Sequence, residues 1–253
     1  MTPDPLLELR DVSVRYGAVA ALSEVSIRVP HGGFVGLIGP NGAGKTTLFN
    51  VISGFTRPQD GSVRLDGRPV TRLAPHARAR LGLVRTFQNV GLNKRVTVDE
   101  NLHVALTAGT ARAELARLFA PRRGATEARV AEVLDLFDLG AYRFDVAGNL
   151  STGVAKVVEL ACAVLRRPRL LLLDEPSSGL SSEDTDKLGE VLVELHSSRS
   201  LSILMIEHDM SLVARTANHV YCLDFGTVIA EGTPGEVRRD PVVVEAYLGT
   251  PAA

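Results

Sequence analysis

Length, composition and charge exclude several classes of protein before any motif is considered. The chain has 253 residues, enough for one large domain or a domain with a subdomain, and its 45% apolar and 23% charged residues are ordinary values for a globular protein. The formal net charge of −1 leaves no excess of basic residues that would favour nucleic acid as the main partner. No apolar run approaches the roughly 18 residues of a membrane-spanning helix, so we expect any work at a membrane to need a spanning partner.

Cysteine and arginine side chains receive structural interpretations. Cys162 and Cys222 stand among apolar neighbours, which predicts free buried thiols rather than a disulfide framework. The N-terminal residues lack the basic and apolar regions of a signal peptide, which agrees with that prediction. Two groups of basic residues are interpreted as solvated charges at helix ends and in loops. They are Arg78, Arg80 and Arg85, and Arg166, Arg167 and Arg169.

The first third of the chain predicts short strands and one helix. Apolar residues alternate with polar ones over 12–16 and 25–29, as in strands with one buried face. The nearly continuous apolar run over 34–38 is typical of a strand buried on both faces. A glycine-rich loop and a helix over 46–53 follow it, and another strand is predicted over 62–67.

The rest of the chain changes from helix to alternating strand and helix. Between 89 and 150 the pattern is helical, with one helix predicted to begin at Asp99 and another at Thr126. Strands over 170–174, 201–206 and 220–223 are then separated by helices over 182–197 and 210–217, and a hairpin turn is predicted at 224–226. This alternation favours a parallel α/β sheet, into which the helical region is inserted.

The loop after the apolar run at 34–38 fits the P-loop pattern, which is a glycine, four residues and Gly-Lys-Thr. Its glycines let the backbone turn several N–H groups toward phosphate oxygens, and the helix that follows adds partial positive charge. Lys45 is expected to reach the β- and γ-phosphates of a nucleotide, and Thr46 to place its hydroxyl on Mg²⁺. The pattern comprises Gly39, Pro40, Asn41, Gly42, Ala43, Gly44, Lys45 and Thr46, and Thr47 is a further binding candidate.

A second apolar strand, over 170–174, ends in two carboxylates. Asp174 is placed to hold Mg²⁺ directly or through water, as the aspartate of a Walker B strand does. Glu175 lies where a carboxylate could polarise the attacking water as a general base. The P-loop alone fits kinases, GTPases and ATPases alike, so the remaining motifs have to decide between them.

These motifs together resemble the ABC (ATP-binding cassette) ATPases over nearly the whole chain. The resemblance implies a P-loop NTPase (RecA-like) α/β core with an antiparallel β subdomain, over 1–88 and 160–253, and a helical subdomain over 89–159. Gln88 is similar to the family's Q-loop glutamine, which links Mg²⁺ and the attacking water to the membrane partner. His208 resembles the switch histidine that contacts the γ-phosphate. Tyr16 resembles the aromatic residue that stacks on adenine, and a strand tyrosine packed on the core is the alternative.

The segment 150–154, Leu-Ser-Thr-Gly-Val, stands where the family has its Leu-Ser-Gly-Gly-Gln signature. Two subunits of this family face head to tail, so Ser151 and the Gly153 amide are expected to face ATP held by the other subunit. Thr152 and Val154 depart from the pattern, and Ser181 replaces the usual aspartate of a D-loop-like segment at 178–181. Because these departures fall in elements offered across the interface, we hypothesise pairing with a different ATPase and one weaker hydrolysis site. The alternative is that they are tolerated variants.

Several stretches further resemble the ATP-binding subunits of branched-chain amino-acid importers, namely 36–50, 85–89, 206–210 and 241–249. This resemblance implies two transmembrane permease subunits, an external solute-binding protein reached through them, and a second ATPase subunit. It also implies a peripheral place on the cytoplasmic face of the cell membrane, with branched-chain amino acids, urea or other amides as solutes. Exporter ATPases for lipopolysaccharide look similar, so the direction of transport follows from the resemblance alone.

The sequence thus predicts an ATPase that uses ATP and Mg²⁺, with Glu175, His208 and Gln88 as catalytic candidates. The metal candidates are Thr46, Gln88 and Asp174, and the nucleotide candidates are Tyr16, the residues from Gly39 to Thr47, Ser151 and Gly153. A regulatory subunit that binds ATP but hydrolyses it weakly is one alternative. A non-transport ABC protein is another, but it would call for two cassettes or a long coiled-coil insertion, and the sequence contains neither.

Overall fold

The computed structural model describes residues 5–86, 91–107, 123–199 and 201–248, and its strands form two sheets. One is an antiparallel sheet with the strand order β2-β1-β4-β5, and the other has the order β10-β9-β3-β8-β7-β6. The strands are β1 (Leu7–Tyr16), β2 (Val19–Val29), β3 (Phe34–Ile38), β4 (Asp60–Leu65), β5 (Arg68–Pro69), β6 (Leu83–Arg85), β7 (Leu170–Asp174), β8 (Ser202–Ile206), β9 (His219–Asp224) and β10 (Thr227–Gly232).

Helices connect the strands of the larger sheet and form a separate group between β6 and β7. The helices are α1 (Lys45–Ser53), α2 (Pro75–Arg80), α3 (Val98–Thr107), α4 (Arg123–Leu136), α5 (Thr152–Leu165), α6 (Ser182–Arg199), α7 (Met210–Thr216), α8 (Pro234–Arg239) and α9 (Pro241–Leu248). Within the described ranges, no helix is both long enough and apolar enough to cross a membrane.

The larger sheet is parallel from β9 through β6, and β10 joins its edge as an antiparallel hairpin partner of β9. Every residue of β3, β7 and β8 is buried, as continuous apolar runs predict for strands covered on both faces. The predicted α/β fold with an antiparallel β sheet is therefore confirmed. Because β3, β8 and β7 are neighbours, their carboxyl ends bring three loops to one edge of the sheet.

The helical region differs from the prediction at both helix starts. Thr97 caps α3 instead of Asp99, because the Thr97 hydroxyl accepts from the Glu100 N–H at 3.2 Å while the Glu100 carboxylate accepts from the Thr97 N–H at 2.8 Å. Asp99 pairs with Arg143 at 2.8 Å. Thr126 lies inside α4, which already begins at Arg123.

Helices α3, α4 and α5 pack through Leu102, Val130 and Val158, which are buried in a common core cluster. Helix α5 runs across the predicted boundary at 159/160, so the division into an α/β core and a helical subdomain stays a prediction.

Two expectations about single side chains have opposite outcomes. Cys162 and Cys222 are free thiols, as predicted. The interpretation of Arg78 and Arg85 as solvated charges is wrong, because both side chains are buried and hydrogen-bonded. Arg169, in the other basic group, forms a half-exposed ion pair with Asp66 at 2.8 Å.

Candidate functional site

The loop between β3 and α1 depends on glycine at both of its ends. Gly39 has φ 144°, and a Cβ there would lie 2.0 Å from the Leu223 carbonyl oxygen. Gly44 caps α1 with φ 103°, and a Cβ there would lie 2.5 Å from the Ala21 carbonyl oxygen. Any other residue would be strained and would clash at either position, so the path of the loop requires glycine at both. Asn41, Gly42 and Thr46 are exposed, Pro40 and Thr47 are partly exposed, and Ala43 is buried.

Lys45 lies across this loop and is only 6% exposed. Its ammonium donates to the carbonyl oxygens of Gly39 at 2.7 Å and Pro40 at 2.9 Å. Burial lowers the pKa of Lys45, and the nearby carboxylates of Glu175 and Asp174 act in the opposite direction. The loop therefore holds a buried cation at the edge of the sheet where two carboxylates also lie.

The C-terminal helix contributes a contact to the loop that the sequence analysis missed. The Gly39 N–H donates to the hydroxyl oxygen of Tyr247, on α9, at 2.8 Å. Burial raises the pKa of Tyr247, so the phenol is neutral at physiological pH. The resemblance at 241–249 marked this helix, but no local pattern joined it to the P-loop.

Asp174 ends β7 and is paired with a buried arginine. Its Oδ2 lies 2.6 Å from Nη2 of Arg85, at the end of the neighbouring strand β6. The same guanidinium donates to the side-chain oxygens of Asn50 at 2.7 Å and Ser53 at 3.1 Å, both on α1. Arg85 therefore links the P-loop helix to the Asp174 carboxylate, and it balances the charge of a carboxylate that would be costly to bury alone.

Glu175 and His208 meet at the carboxyl ends of β7 and β8. Oε1 of Glu175 lies 2.8 Å from Nε2 of His208. Glu175 has φ 49°, a left-handed conformation that is uncommon for a residue with a side chain, and its N–H donates to the Ile206 carbonyl at 3.0 Å. The structure thus brings the predicted base and the predicted switch histidine into direct contact, although 33 positions separate them in the sequence.

Two further predicted residues, Tyr16 and Gln88, are not among the contacts described so far. The Tyr16 side chain is 53% exposed at the end of β1, with its hydroxyl 3.3 Å from that of Thr56, so the tyrosine is not packed into the core. An exposed ring leaves a face on which a base can stack. Gln88, predicted for catalysis and for the metal, lies outside the described residues.

The signature segment forms the start of α5. Ser151 is the N-cap, and its hydroxyl accepts from the Val154 N–H at 3.3 Å. A Cβ on Gly153 would lie 3.1 Å from a carboxylate oxygen of Asp184. Asp184 also accepts from the Ser181 hydroxyl at 2.9 Å, so the signature and the D-loop-like segment of one chain meet at this carboxylate.

Two of the departures have roles within the chain. The Ser181 hydroxyl accepts from the Asp184 N–H at 3.1 Å and so caps α6, as an aspartate there would also do. Val154, in place of glutamine, packs against the core cluster.

Comparisons with known proteins identify the family of the chain. Residues 22–178 match the ABC transporter family, and residues 227–253 match the family described as branched-chain amino acid ATP-binding cassette transporter. The chain is 41% identical over 250 residues to the high-affinity branched-chain amino acid transport ATP-binding protein BraF of Pseudomonas aeruginosa, covering 97% of this chain and 98% of that protein. It is 39% identical over 251 residues to LivG of Escherichia coli K12, with 97% and 98% covered.

Solved structures show the same architecture. An ATP-binding cassette of an ABC transporter in its ADP conformation superposes with a TM-score of 0.86 at 31% identity, covering 98% of this chain and 100% of that one. A dimeric bacterial ABC transporter cassette gives a TM-score of 0.77 at 25% identity, with 90% and 98% covered. The ABC transporter family matches more than half of this chain, and the relatives align along nearly all of it. The chain therefore belongs to the ABC transporter ATP-binding family and is an ATP-hydrolysing cassette.

Proposed function

We propose that this chain hydrolyses ATP to drive import of branched-chain amino acids or related small polar solutes such as amides or urea. The hydrolysis step is supported chiefly by the 2.8 Å contact of Glu175 with His208, at the edge of the sheet from which the P-loop leads to Lys45. The solute class is supported by the C-terminal match over 227–253 and by the relatives BraF and LivG, whose names state branched-chain amino acid transport.

Nucleotide binding begins at the loop from Gly39 to Thr47. Tyr16 offers an exposed ring to the adenine, while the loop's N–H groups and the start of α1 face the phosphates. Lys45 would exchange the carbonyls of Gly39 and Pro40 for phosphate oxygens.

The residues around the phosphates fit Mg²⁺. The Thr46 hydroxyl lies in the first turn of α1 and the Asp174 carboxylate at the end of β7, and oxygen donors of this kind are the ligands that Mg²⁺ prefers. Within the described ranges, no group of three or more His, Cys, Asp or Glu side chains is arranged to hold a metal, which suits an ion that takes most of its ligands from phosphates and water. Gln88 is the third proposed ligand. Bound Mg²⁺ would neutralise charge developing on the β- and γ-phosphates.

Glu175 and His208 would act on the attacking water and the γ-phosphate. Glu175 accepts the proton or polarises the water, and His208 holds the carboxylate in place through the hydrogen bond that the structure shows. Gln88 would help to position the water. The buried strands β7 and β8 fix the two backbones, so the pair is held on rigid elements.

The site is completed by a second cassette. Ser151 and the Gly153 amide, at the start of α5, would face ATP held by that subunit. The partner is the same chain or a sister ATPase. If the partner is a sister ATPase, the site that faces Thr152 and Val154 of this chain hydrolyses ATP more slowly than the other site. The dimeric cassette among the structural relatives supports a two-subunit arrangement.

The transporter would further contain two transmembrane permease subunits and an external solute-binding protein that acts through them. This places the chain peripherally on the cytoplasmic face of the cell membrane, where closing and opening of the cassettes drives the permease. A regulatory subunit with weak hydrolysis and an ATPase of the lipopolysaccharide-export type are the competing assignments.

Uptake of labelled solute in cells tests the proposal. Cells lacking this chain should lose uptake of labelled leucine or urea, and the wild-type chain but not its Glu175→Gln variant should restore it, because transport requires hydrolysis. Unchanged uptake of every branched-chain amino acid and amide in the deletion strain would contradict the importer assignment.

A further inference from the structure

The turn that begins at the proposed base is held by hydrogen bonds from side chains outside the turn. We call residues 175–178 the catalytic turn. It begins with Glu175 in the left-handed conformation, and the Ser178 N–H donates to the Glu175 carbonyl at 3.1 Å. A turn of this kind leaves backbone groups that need other partners when they are buried. Two charged side chains supply these partners.

Lys156 holds the carbonyl side of the catalytic turn. Its ammonium donates to the carbonyl oxygens of Glu175 at 3.3 Å and Pro176 at 3.1 Å, and it also donates to the Ser178 carbonyl. The three donors of an ammonium are thus matched by three acceptors. Burial lowers the pKa of Lys156, and the carboxylate of Glu207 is first among the groups that raise it. Lys156 belongs to α5, the helix that the signature segment begins.

Glu207 holds the amide side of the same turn and is 1% exposed at the end of β8. Its Oε1 accepts from the Ser177 N–H at 2.8 Å. Its Oε2 accepts from the N–H groups of His208 at 2.9 Å and Asp209 at 3.3 Å. A buried carboxylate is costly unless it is hydrogen-bonded, and here three backbone donors compensate for that cost.

These contacts close a ring around the hydrolysis pair. Glu207 fixes the backbone of His208 and the backbone of the catalytic turn, and the side chains of His208 and Glu175 meet at 2.8 Å. We infer that Lys156 and Glu207 are positioning residues for hydrolysis, which set the geometry of the Glu175–His208 pair and make it depend on the position of the signature helix. This inference rests on the catalytic roles proposed above for Glu175 and His208.

Isosteric variants separate positioning from simple support of the fold. Glu207→Gln keeps the shape but turns an amide NH₂ toward backbone N–H groups, and Lys156→Met removes the donors while keeping the length. In the chain copurified with its permease and partner ATPase, each variant should lower kcat about 10- to 100-fold, because small displacements of reacting groups have effects of that size. ATP affinity should change by less than about threefold, since neither side chain belongs to the P-loop. Lys156→Arg, which keeps a cationic donor, should recover most of the turnover.

An exposed ion pair on α6 provides the matched controls. Glu183 and Lys187 interact at 2.8 Å, and both are largely exposed. The Glu183→Gln and Lys187→Met variants should therefore keep wild-type turnover. Equal losses in the controls and in the Glu207 and Lys156 variants would overturn the inference. So would a parallel fall of kcat and ATP affinity.

Amide hydrogen exchange tests the hydrogen bonds of Glu207 without a measurement of ATP turnover. In the full chain, exchange at Ser177, His208 and Asp209 should be slow in the wild type and at least tenfold faster in Glu207→Gln or, if that variant does not fold, in Glu207→Asp. Unchanged exchange at these amides would overturn the inference that Glu207 fixes the backbone of His208 and of the catalytic turn. Wild-type turnover in Glu175→Gln would instead overturn the proposed role of Glu175 as the base, while the exchange result would still test the contacts of Glu207.

Discussion

The guanidinium of Arg78 lies inside the protein, 1% exposed, at the end of the P-loop helix α1. It donates to the carbonyls of Val51 at 2.6 Å and Ile52 at 2.7 Å in the last turn of that helix, and to those of Leu73 and Thr71. Burial lowers the pKa of Arg78 to about 10, so the side chain stays charged at neutral pH. A single residue therefore anchors the helix that carries Lys45 and Thr46.

Arg78→Met should lower the free energy of unfolding by about 3 kcal/mol, because these four carbonyls would each lose a charged donor. Arg80 is exposed on α2, the helix that also contains Arg78, so Arg80→Met should change the free energy of unfolding by less than about 0.5 kcal/mol. Urea unfolding of the two variants beside the wild type measures both values. Equal midpoints for the two variants would show that Arg78 does not anchor α1.

Among the elements, the C-terminal helix α9 has a direct effect on the P-loop through Tyr247 and the Gly39 N–H. Tyr247→Phe removes the hydroxyl that accepts from the Gly39 N–H and leaves the ring. The lost hydrogen bond should reduce the free energy of ATP binding by about 1 kcal/mol and so weaken ATP binding about fivefold. Tyr142→Phe, on a partly exposed turn before the signature, serves as the control and should bind ATP normally. Titration of both variants with a fluorescent ATP analogue measures the affinities, and equal affinities would contradict the proposed link.

The strands that carry the site could be predicted because their apolar runs are continuous and the motifs follow them directly. The P-loop comes after β3, Asp174 ends β7, and His208 lies two positions beyond β8. Helix starts are harder to predict because several capping residues lie close together. Thr97 and Asp99 are both suitable caps, and only the reciprocal bonds with Glu100 select Thr97.

Across the whole molecule, the contacts that a sequence pattern could not supply join residues far apart in the chain. Tyr247 and Gly39 are separated by 208 positions, and Arg85 and Asp174 by 89. Periodicity identifies elements and motifs, but it contains no information on which distant side chains meet. For this reason the sequence predicts a solvated Arg85 and indicates no role for Lys156 or Glu207.

The pairing of two cassettes is also a question about the whole molecule. Ser181 caps α6 and Val154 packs against the core cluster, so these two departures have structural reasons within one chain. Thr152, the first residue of α5, is then the departure that most specifically favours a sister ATPase as partner.

The central claim is that this chain hydrolyses ATP with Glu175 as the base, and steady-state turnover of the purified chain beside its Glu175→Gln variant tests it most directly. We expect clear turnover in the wild type and a loss of at least about 100-fold in the variant, which should still bind ATP. Full and symmetric turnover of the chain alone would also show that Thr152 and Val154 are tolerated between identical subunits. Wild-type turnover in Glu175→Gln would contradict the account.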